Sequence, residues 1–434
     1  MMKTTPLERW IVERVELKSL SQEALQAYQL GELLKTLAYA KEKSRFYQSA
    51  LSDIELNSIK TLKDFERIAF TTPEDIKQSV HDFVCVPSSD IERIVTLNTS
   101  GTTGDEKRLF FTHEDLEATI DFFHYGMRCL VDESDKVMVL LPGPSYASIG
   151  DLLKKALAHS GISCIVHGVL NDVEKTAQCI EEHNITCIVG IPMQVLYLSR
   201  VKPELFYRHI KKVLLSTDYV PDALVEALSN EGACKVYNHY GMTEMGYGGG
   251  VECECLCGYH LRENHLYFEI INPMTGECVS DGEYGEVVFT TFNRQAMPLI
   301  RYRTGDMARI STKPCACGTF LRTMEKVRGR IANHICINGH EMHLRDFDEI
   351  LLRFSFVLDY QLTVRENNVL HLMLVLSNKE DFEGVKTEII QRIRDHFHVD
   401  FELFMEVLED DHSSKITNSM IKRKLQDCRQ GAII

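Results

Sequence analysis

The fold of this chain is decided by three short apolar runs: VMVLL at 137–141, ISCIVH at 162–167 and CIVGI at 187–191. Each run has the length of a buried strand, and the helical patterns of Ile149–Ser160 and Val173–His183 separate them. Strands that alternate with helices of this length form a parallel sheet covered on both faces. The centre of the chain is therefore predicted to be an α/β sheet.

The patterns on either side of this centre differ from it. Residues 7–50 have apolar positions at helical spacing, and 265–300 alternate as short strands with glycine turns, which predicts a smaller β subdomain. After about residue 330, strands and helices form an α+β pattern of about 100 residues, enough for a domain of its own. We therefore expect a large N-terminal domain over 1–329, with the β subdomain at about 250–325, and a C-terminal α+β domain over 330–434.

Composition limits the classes of function. The 434 residues are 44% hydrophobic and 26% charged, which excludes a disordered chain, a collagen and a coiled coil. The formal net charge of −15 argues against nucleic acid and anionic membranes as partners. No apolar run is long enough to span a membrane, and the N-terminus does not have the pattern of a signal peptide. Fourteen cysteines then predict a reducing compartment, and we expect the protein to be cytoplasmic.

The strongest local signal is TLNTSGTTGDEKRLFFT at 96–112, a loop rich in hydroxyls and glycines directly after a predicted strand. Glycines let the backbone approach a phosphate closely, hydroxyls add donors, and a lysine supplies a positive charge. The Walker spacing does not fit, so this is not that type of phosphate loop. The sequence predicts that it binds phosphate through Thr99, Ser100, Gly101, Thr102, Thr103, Gly104 and Lys107.

Other segments carry chemistry further along the chain: YGMTE at 240–244, YRTGD at 302–306, GR at 329–330 and HSSKI at 412–416. The Glu244 carboxylate suits Mg²⁺, which prefers oxygen ligands and neutralises phosphate charge. The two oxygens of Asp306 can accept from two hydroxyls at once.

In their order along the chain, these segments resemble the motifs of the adenylate-forming ligases, the superfamily of acyl- and aryl-CoA ligases and peptide-synthetase adenylation domains. The family patterns are TSGTTGxPKG, YGxTE, YRTGD, GRxD and TSGKI, and the resemblance covers roughly 90–415. The chain departs from them at Glu106, Arg108, Ala332 and Ser414. In the family, the aspartate of GRxD lies at the hinge about which the C-terminal domain rotates. Ala332 occupies its position in this chain, so the resemblance does not say which side chain acts at the hinge.

The resemblance implies roles for single residues in nucleotide binding. Tyr240, beside Gly241, would stack on adenine, Thr243 would approach the α-phosphate, and Glu244 would hold Mg²⁺. Asp306 would accept from the ribose hydroxyls. Further nucleotide contacts are implied at Thr217, Asp218 and Arg330, with Arg328 as the alternative to Arg330.

A lysine near the C-terminus is implied to meet both the carboxylate and the α-phosphate during adenylation. Lys415 is the candidate, and Lys422 and Lys424 are the alternatives within the same basic stretch. The C-terminal domain would then be a mobile lid that rotates between two half-reactions.

The cysteines form two groups, CECLC with His260 close behind at 253–260 and CAC at 315–317. Thiolates and one imidazole from two loops suit a tetrahedral structural Zn²⁺, although five thiols and one histidine are more than its four coordination positions can take. The region resembles the phenylacetate-CoA ligase branch of the superfamily. That resemblance selects Cys253, His260, Cys315 and Cys317 as ligands and leaves Cys255 and Cys257 as spares or substitutes.

The resemblance implies an AMP-forming ligase that converts an acid to an acyl adenylate with ATP and then transfers it to coenzyme A. An aryl or arylacetic acid is favoured, and a homodimer is possible. The acyl pocket is expected to include Tyr146, Met193, His239 and Met245. The alternatives are an adenylyltransferase that passes AMP to a hydroxyl of a deazaflavin-type cofactor, an enzyme that loads a carrier protein or an amine, and a nucleotide-binding protein without turnover.

Overall fold

The computed structural model describes residues 4–17, 19–97, 106–143, 145–331, 333–377, 380–398, 402–407 and 425–429. In these residues the α-helices are α1 (Pro6–Val15), α2 (Gln22–Lys43), α3 (Arg45–Ala50), α4 (Leu62–Phe65), α5 (Pro73–Ser79), α6 (His113–Met127), α7 (Ile149–Ala158), α8 (Val173–His183), α9 (Pro192–Val201), α10 (Pro203–His209), α11 (Asp222–Ser229), α12 (Leu344–Leu351) and α13 (Glu380–Phe397).

The strands are β1 (Arg93–Leu97), β2 (Lys107–Phe111), β3 (Lys136–Leu140), β4 (Ser163–Val166), β5 (Cys187–Gly190), β6 (Lys212–Leu215), β7 (Lys235–Tyr240), β8 (Gly250–Glu252), β9 (Tyr259–Leu261), β10 (Leu266–Ile271), β11 (Gly285–Thr291), β12 (Tyr302–Ala308), β13 (Thr323–Met324), β14 (His334–Ile337), β15 (His340–His343), β16 (Val357–Arg365), β17 (Val369–Leu376), β18 (Leu403–Val407) and β19 (Gln426–Asp427).

Side-chain caps fix where several helices begin. Before α6, the Thr112 hydroxyl accepts from the Asp115 amide at 3.2 Å, while the Asp115 carboxylate accepts from the Thr112 amide at 3.1 Å. Before α7, the Ser148 hydroxyl accepts from the Asp151 amide at 3.3 Å. Such caps satisfy amides that have no partner within the helix, so short local sequences determine these boundaries.

The chain divides into two compact units, and the first contains Met1–Asp132, Ser145–Gly161 and His239–Lys326. In it, β1 and β2 form an antiparallel hairpin, and β10, β11 and β12 form a three-stranded antiparallel sheet. The last two residues of β7 pair with β8, which pairs with β9, and β9 pairs with β13. The predicted β structure after residue 265 is therefore present.

The second unit contains Glu133–Pro144, Ile162–Asn238 and Val327–Ile434. Its parallel strands stand in the order β4-β3-β5-β6-β7, which confirms the α/β sheet predicted from the apolar runs. A second sheet in this unit has the order β18-β17-β16-β19, and α12 and α13 pack against each other. One apolar core joins both parts of this unit. In addition, the Glu349 carboxylate accepts from the amides of Asp222 and Ala223 at 2.7 and 2.9 Å.

The last segment of the second unit begins at Val327, close to the predicted boundary at residue 330. This unit groups that segment with the parallel sheet, so the separate lid domain over 330–434 stays a prediction. Within the described residues, no helix combines the length and the apolar character that crossing a lipid bilayer requires.

Candidate active site

A lysine, a glutamate and a tyrosine from three separate elements meet in the first unit. Lys107 is the first residue of β2, Glu244 lies in the turn after β7, and Tyr302 begins β12. The Lys107 ammonium donates to Glu244 Oε1. The Tyr302 hydroxyl donates to the same oxygen at 3.1 Å and lies 3.3 Å from Lys107 Nζ. Two residues predicted to act on the nucleotide are thus in contact.

The Glu244 carboxylate is held ionised although it is buried. Burial raises its pKa, but the Lys107 charge and the hydrogen bonds from Lys107 and Tyr302 outweigh burial, so the pKa lies below its ordinary value. The Lys107 and Glu244 side chains are only 12% and 5% exposed, which places the ion pair almost out of solvent. An ionised, poorly hydrated carboxylate is a suitable Mg²⁺ ligand.

A second pair joins the YGMTE and YRTGD segments. The Tyr240 hydroxyl donates to Asp306 Oδ2 at 3.2 Å, and both side chains are buried. Burial, together with the nearby Asp306 charge, raises the pKa of Tyr240 well above its ordinary value. A Cβ on Gly241 would lie 2.3 Å from the Tyr247 carbonyl oxygen, so only glycine fits there. The turn is packed closely enough to fix the position of the YGMTE segment.

The YRTGD segment lies in a strand. β12 covers Tyr302–Ala308, with Gly305 at a φ of +75°. Its start is fixed by Arg301, a residue that the sequence analysis did not single out. Arg301 is buried, forms an ion pair with Glu269 at 2.9 Å and donates to the Ile68 carbonyl at 2.7 Å. Its position directly before the motif was the one signal available.

Two further buried arginines were also missed. The Arg262 guanidinium donates to the Ala118 carbonyl at 2.6 Å, and burial lowers its pKa to about 9. Arg294 lies 4.0 Å over the Phe111 ring and 3.5 Å from the Asp115 carboxylate. Nothing in their local sequence distinguishes them from surface arginines.

The four predicted metal ligands converge. The candidate ligand atoms of Cys253, His260, Cys315 and Cys317 all lie within 4.8 Å of one another. The Cys253 and Cys315 sulfurs are 3.7 Å apart, and Cys317 Sγ is 3.5 Å from His260 Nε2. Tetrahedral Zn²⁺ with Zn–S bonds of about 2.3 Å separates its sulfur ligands by about 3.8 Å. The separation of the Cys253 and Cys315 sulfurs therefore matches a tetrahedral site.

The surroundings of His260 suit a metal ligand. Burial lowers the pKa of His260 to about 4, which keeps its imidazole neutral, as a metal ligand must be. On the other side of the ring, His260 Nδ1 lies 3.4 Å from the Thr323 hydroxyl, a contact that can orient the imidazole. The Cys253 sulfur accepts from the Cys255 amide at 3.4 Å, whereas the Cys257 side chain is exposed.

The residues predicted to line the acyl pocket have different surroundings. Tyr146 is 55% exposed and donates to the Glu92 carboxylate. His239 and Met245 are in the first unit, where burial lowers the pKa of His239 to about 4. Met193 belongs to the apolar core of the second unit. Their role in binding an acid stays a prediction.

The structure describes some of the remaining nucleotide candidates and not others. Thr217 follows β6 with a φ of +79° and a buried hydroxyl, a strained conformation for a β-branched residue. Asp218 follows it and accepts from the Tyr219 amide at 2.9 Å, and Arg330 is exposed. Thr243 lies in the same short turn as Glu244. Several predicted residues lie outside the described residues: Thr99, Ser100, Gly101, Thr102, Thr103, Gly104, Ala332, Lys415, Lys422 and Lys424.

A family model described as AMP-binding enzyme matches residues 28–293, more than half of the chain. The chain therefore belongs to this family of AMP-binding enzymes. The phenylacetate-coenzyme A ligase of Thermus thermophilus is 26% identical over 429 residues, which cover 95% of this chain and 92% of the relative. The Escherichia coli phenylacetate-coenzyme A ligase is 26% identical over 377 residues, 83% of each chain. The predicted membership of the adenylate-forming superfamily, in its phenylacetate-CoA ligase-like branch, is confirmed.

Solved structures share the fold. A 2-hydroxyisobutyryl-CoA ligase in complex with 2-HIB-AMP superposes with a TM-score of 0.80 at 19% identity, over 93% of each chain. An anthranilate-CoA ligase in complex with anthranoyl-AMP superposes with a TM-score of 0.53 at 13% identity, over 94% of each chain.

Proposed function

We propose that this protein is an AMP-forming acid–thiol ligase that activates a carboxylic acid with ATP and transfers the acyl group to coenzyme A. The observation that carries this proposal is the meeting of Lys107, Glu244 and Tyr302, with the Tyr240–Asp306 pair provided by the same two motifs. These groups offer a cation for phosphate oxygens, a carboxylate for a metal and an acceptor for a ribose, which are the contacts that ATP requires.

In the first half-reaction, a carboxylate oxygen of the acid attacks the α-phosphorus of ATP. A new C–O–P bond forms, the bond between the α-phosphorus and its bridging oxygen breaks, and pyrophosphate leaves. Lys107 offsets negative charge on the phosphates, Asp306 holds the ribose, and Thr243 contacts the α-phosphate. Mg²⁺ on Glu244 would supply further charge neutralisation where two anions meet.

In the second half-reaction, the coenzyme A sulfur attacks the acyl carbon. The C–S bond forms, the bond from the acyl carbon to the AMP oxygen breaks, and AMP leaves, while the thiol proton passes to solvent. Lys415 is proposed to meet the carboxylate and the α-phosphate in the first half-reaction. Thr217, Asp218, Arg330 and the 99–104 loop complete the proposed nucleotide contacts. An aryl or arylacetic acid is proposed as substrate, which the names of the phenylacetate-coenzyme A ligase relatives support.

A structural Zn²⁺ is proposed at Cys253, His260, Cys315 and Cys317. Three sulfurs and one nitrogen complete a tetrahedral shell and leave no position for a catalytic water, so this metal would hold two loops together. A homodimer and a cytoplasmic location are proposed as well, the location from the reducing compartment that fourteen cysteines predict.

The test is an assay of both half-reactions with purified protein and a panel of phenylacetic, benzoic and fatty acids. We expect acid-dependent exchange of labelled pyrophosphate into ATP, and release of free AMP only when coenzyme A is added. AMP transferred to a hydroxyl acceptor would instead support the adenylyltransferase alternative. No exchange with any acid would refute the proposed ligase.

A further inference from the structure

A small cavity of about 40 Å³ lies in the first unit, between two buried arginines and the turn at 243–246. Arg262 and Arg294 line this cavity from two different connections between strands, and Gly246 lines it from the turn. We infer that the cavity binds a small monovalent anion of the size of chloride. The inference goes beyond the proposed ligase reaction and does not depend on it.

The charged groups around the cavity do not cancel. Arg262 and Arg294 are only 3% and 9% exposed, and Asp115 is the carboxylate among the described lining residues. His265 is neutral, because burial, together with the nearby Arg262 charge, lowers its pKa well below the ordinary value. Burial and the Arg294 charge lower the pKa of Arg262 to about 9, while the charge of Asp121 acts in the opposite sense with a smaller effect. Two buried cations therefore share one carboxylate, which favours the binding of a further anion.

Arg262 forms no ion pair with any described residue. Its guanidinium donates to the Ala118 carbonyl at 2.6 Å and to His265 Nδ1 at 2.8 Å, and both acceptors are neutral. Its Nη1 has only a long contact of 3.5 Å with the Gly248 carbonyl, beyond the ordinary range of such hydrogen bonds. Nη1 therefore has donor capacity left for a charged acceptor.

Arg294 has a buried donor without a hydrogen-bond partner. Its Nε lies 3.5 Å from the Asp115 carboxylate, which is too far for a well-formed hydrogen bond. The Asp115 carboxylate already accepts from three backbone amides, those of Thr112, Gln295 and Ala296. Because an unmade hydrogen bond is costly in a buried place, Arg294 also favours an added acceptor in the cavity.

Both arginines reach the same point beside Gly246. A Cβ built on Gly246 would lie 3.2 Å from Arg294 Nη1 and 3.8 Å from Arg262 Nη1. The Thr119 hydroxyl also lies 3.2 Å from that point, but it donates to the Gly246 carbonyl at 3.1 Å. The donors that a ligand can use are therefore the two guanidinium groups, and a spherical anion can accept from both at once.

The size of the cavity limits the ligand to a small ion. One water needs about 10–15 Å³ of such volume, so the cavity takes a halide ion and excludes a nucleotide or a phosphate ester. Asn293 is exposed and also lines the cavity, which marks the side from which an ion in solution can enter. Water could accept the same hydrogen bonds, but it carries no charge to balance the second arginine.

A bound anion would fasten several segments of the first unit around the turn at 243–246. Arg262 comes from the β9–β10 connection, Arg294 from the β11–β12 connection, and Thr119 from α6. The Gly246 amide donates to the Thr243 carbonyl at 3.0 Å, which closes the turn that contains Glu244. The anion would therefore stabilise the position of this turn.

The test is anomalous diffraction from crystals of the full-length protein soaked in sodium bromide, because bromide can replace chloride and scatters anomalously. We expect a bromide peak between the Arg262 and Arg294 guanidinium groups. Water at this position without bromide would overturn the inference. Bromide bound only at surface side chains would also overturn it, because that result would show an adventitious ion only.

Thermal melting at constant ionic strength tests the same site in solution. Sodium chloride replaces sodium gluconate, whose anion is too large for the cavity, and the wild-type melting temperature should rise by about 2–4 °C. Arg262→Met, which removes the cation and keeps a long side chain, should abolish the rise. The matched control is Arg128→Gln, which removes an exposed arginine and should keep it.

Equal rises in Arg262→Met and the wild type, or no rise in the wild type, would overturn the inference. The diffraction experiment uses the wild-type protein, so it decides the question even if Arg262→Met does not fold.

Discussion

Glu244 is a carboxylate that folding has buried beside a single ammonium group. Such a pair contributes little net stability, but removal of one partner leaves an uncompensated buried charge, at a cost of about 3–5 kcal/mol. The Lys107–Glu244 contact holds the side chain of each residue in place against the other.

The first prediction concerns this pair. Lys107→Met should lower the free energy of unfolding by about 3 kcal/mol, because Glu244 would stay buried without its cation. The double variant Lys107→Met/Glu244→Gln should recover most of that loss, since Gln carries no charge. Urea unfolding at pH 7 measures both. A double variant that is less stable than Lys107→Met would contradict the assignment of the pair.

The second prediction concerns His239, whose pKa burial lowers from an ordinary 6.5 to about 4. Between these values the unfolded chain binds a proton that the folded chain does not, so stability falls as pH falls through this window. The loss from His239 should reach about 2 kcal/mol at pH 5. Unfolding at pH 7 and pH 5 should show a shallower pH dependence for His239→Met than for the wild type. Equal slopes would contradict the burial of a neutral imidazole.

At this scale, the sequence could supply candidate residues where a residue belonged to a motif. Glu244, Asp306 and Lys107 could be selected because their neighbours identified them. Arg301 could not, because its partner Glu269 lies 32 residues earlier, and only the pairing of β10 with β11 and β11 with β12 brings the two together. The contact between Lys107 and Glu244 was not predicted for the same reason.

At the scale of elements, two loops that are distant in sequence meet at the cysteine cluster. The β8–β9 turn supplies Cys253, β9 supplies His260, and the segment after β12 supplies Cys315 and Cys317. β13 pairs with β9, which brings that segment alongside. A metal here would fasten the two loops to each other.

The third prediction is that purified protein contains about one zinc per chain and that Cys315→Ser abolishes it, because three ligands no longer complete the shell. The melting temperature should fall with the metal. Cys257→Ser is the matched control, since its exposed thiol is a spare and the zinc content should not change. Elemental analysis decides this, and full stability without metal would remove the zinc site from the account.

Element type could be predicted where periodicity was strong and less well where strands were short. Helix α8 has the predicted bounds Val173–His183, and β5 ends at Gly190, one residue before its predicted end. The short strands β8 and β9 were missed, because three residues are too few to establish a period. β12 was missed because RTGD has the composition of a turn, and its strand conformation depends on pairing with β11.

At the scale of the whole molecule, the problem is electrostatic, because an acidic chain has to bind the negatively charged triphosphate of ATP. The overall charge of −15 opposes this, so binding depends on local cations such as Lys107. The order of the family motifs allowed the reaction class to be predicted from sequence. The acid could not be, because specificity depends on how side chains from separate segments meet.

The fourth prediction concerns the ribose contact. Asp306→Asn should weaken ATP binding about tenfold, because a neutral amide offers one acceptor oxygen in place of two. Tyr240→Phe removes the hydroxyl that donates to Asp306 and leaves the carboxylate, so its effect should be smaller. Equilibrium titration with ATP and Mg²⁺ compares the two, and unchanged affinity in Asp306→Asn would argue against a ribose site.

The most direct measurement of the central claim is a crystal structure with Mg²⁺ and a non-hydrolysable ATP analogue. The account predicts the ribose hydroxyls on Asp306, the metal on Glu244 and a phosphate oxygen on Lys107. A nucleotide bound elsewhere, with the Lys107–Glu244 contact intact, would contradict it.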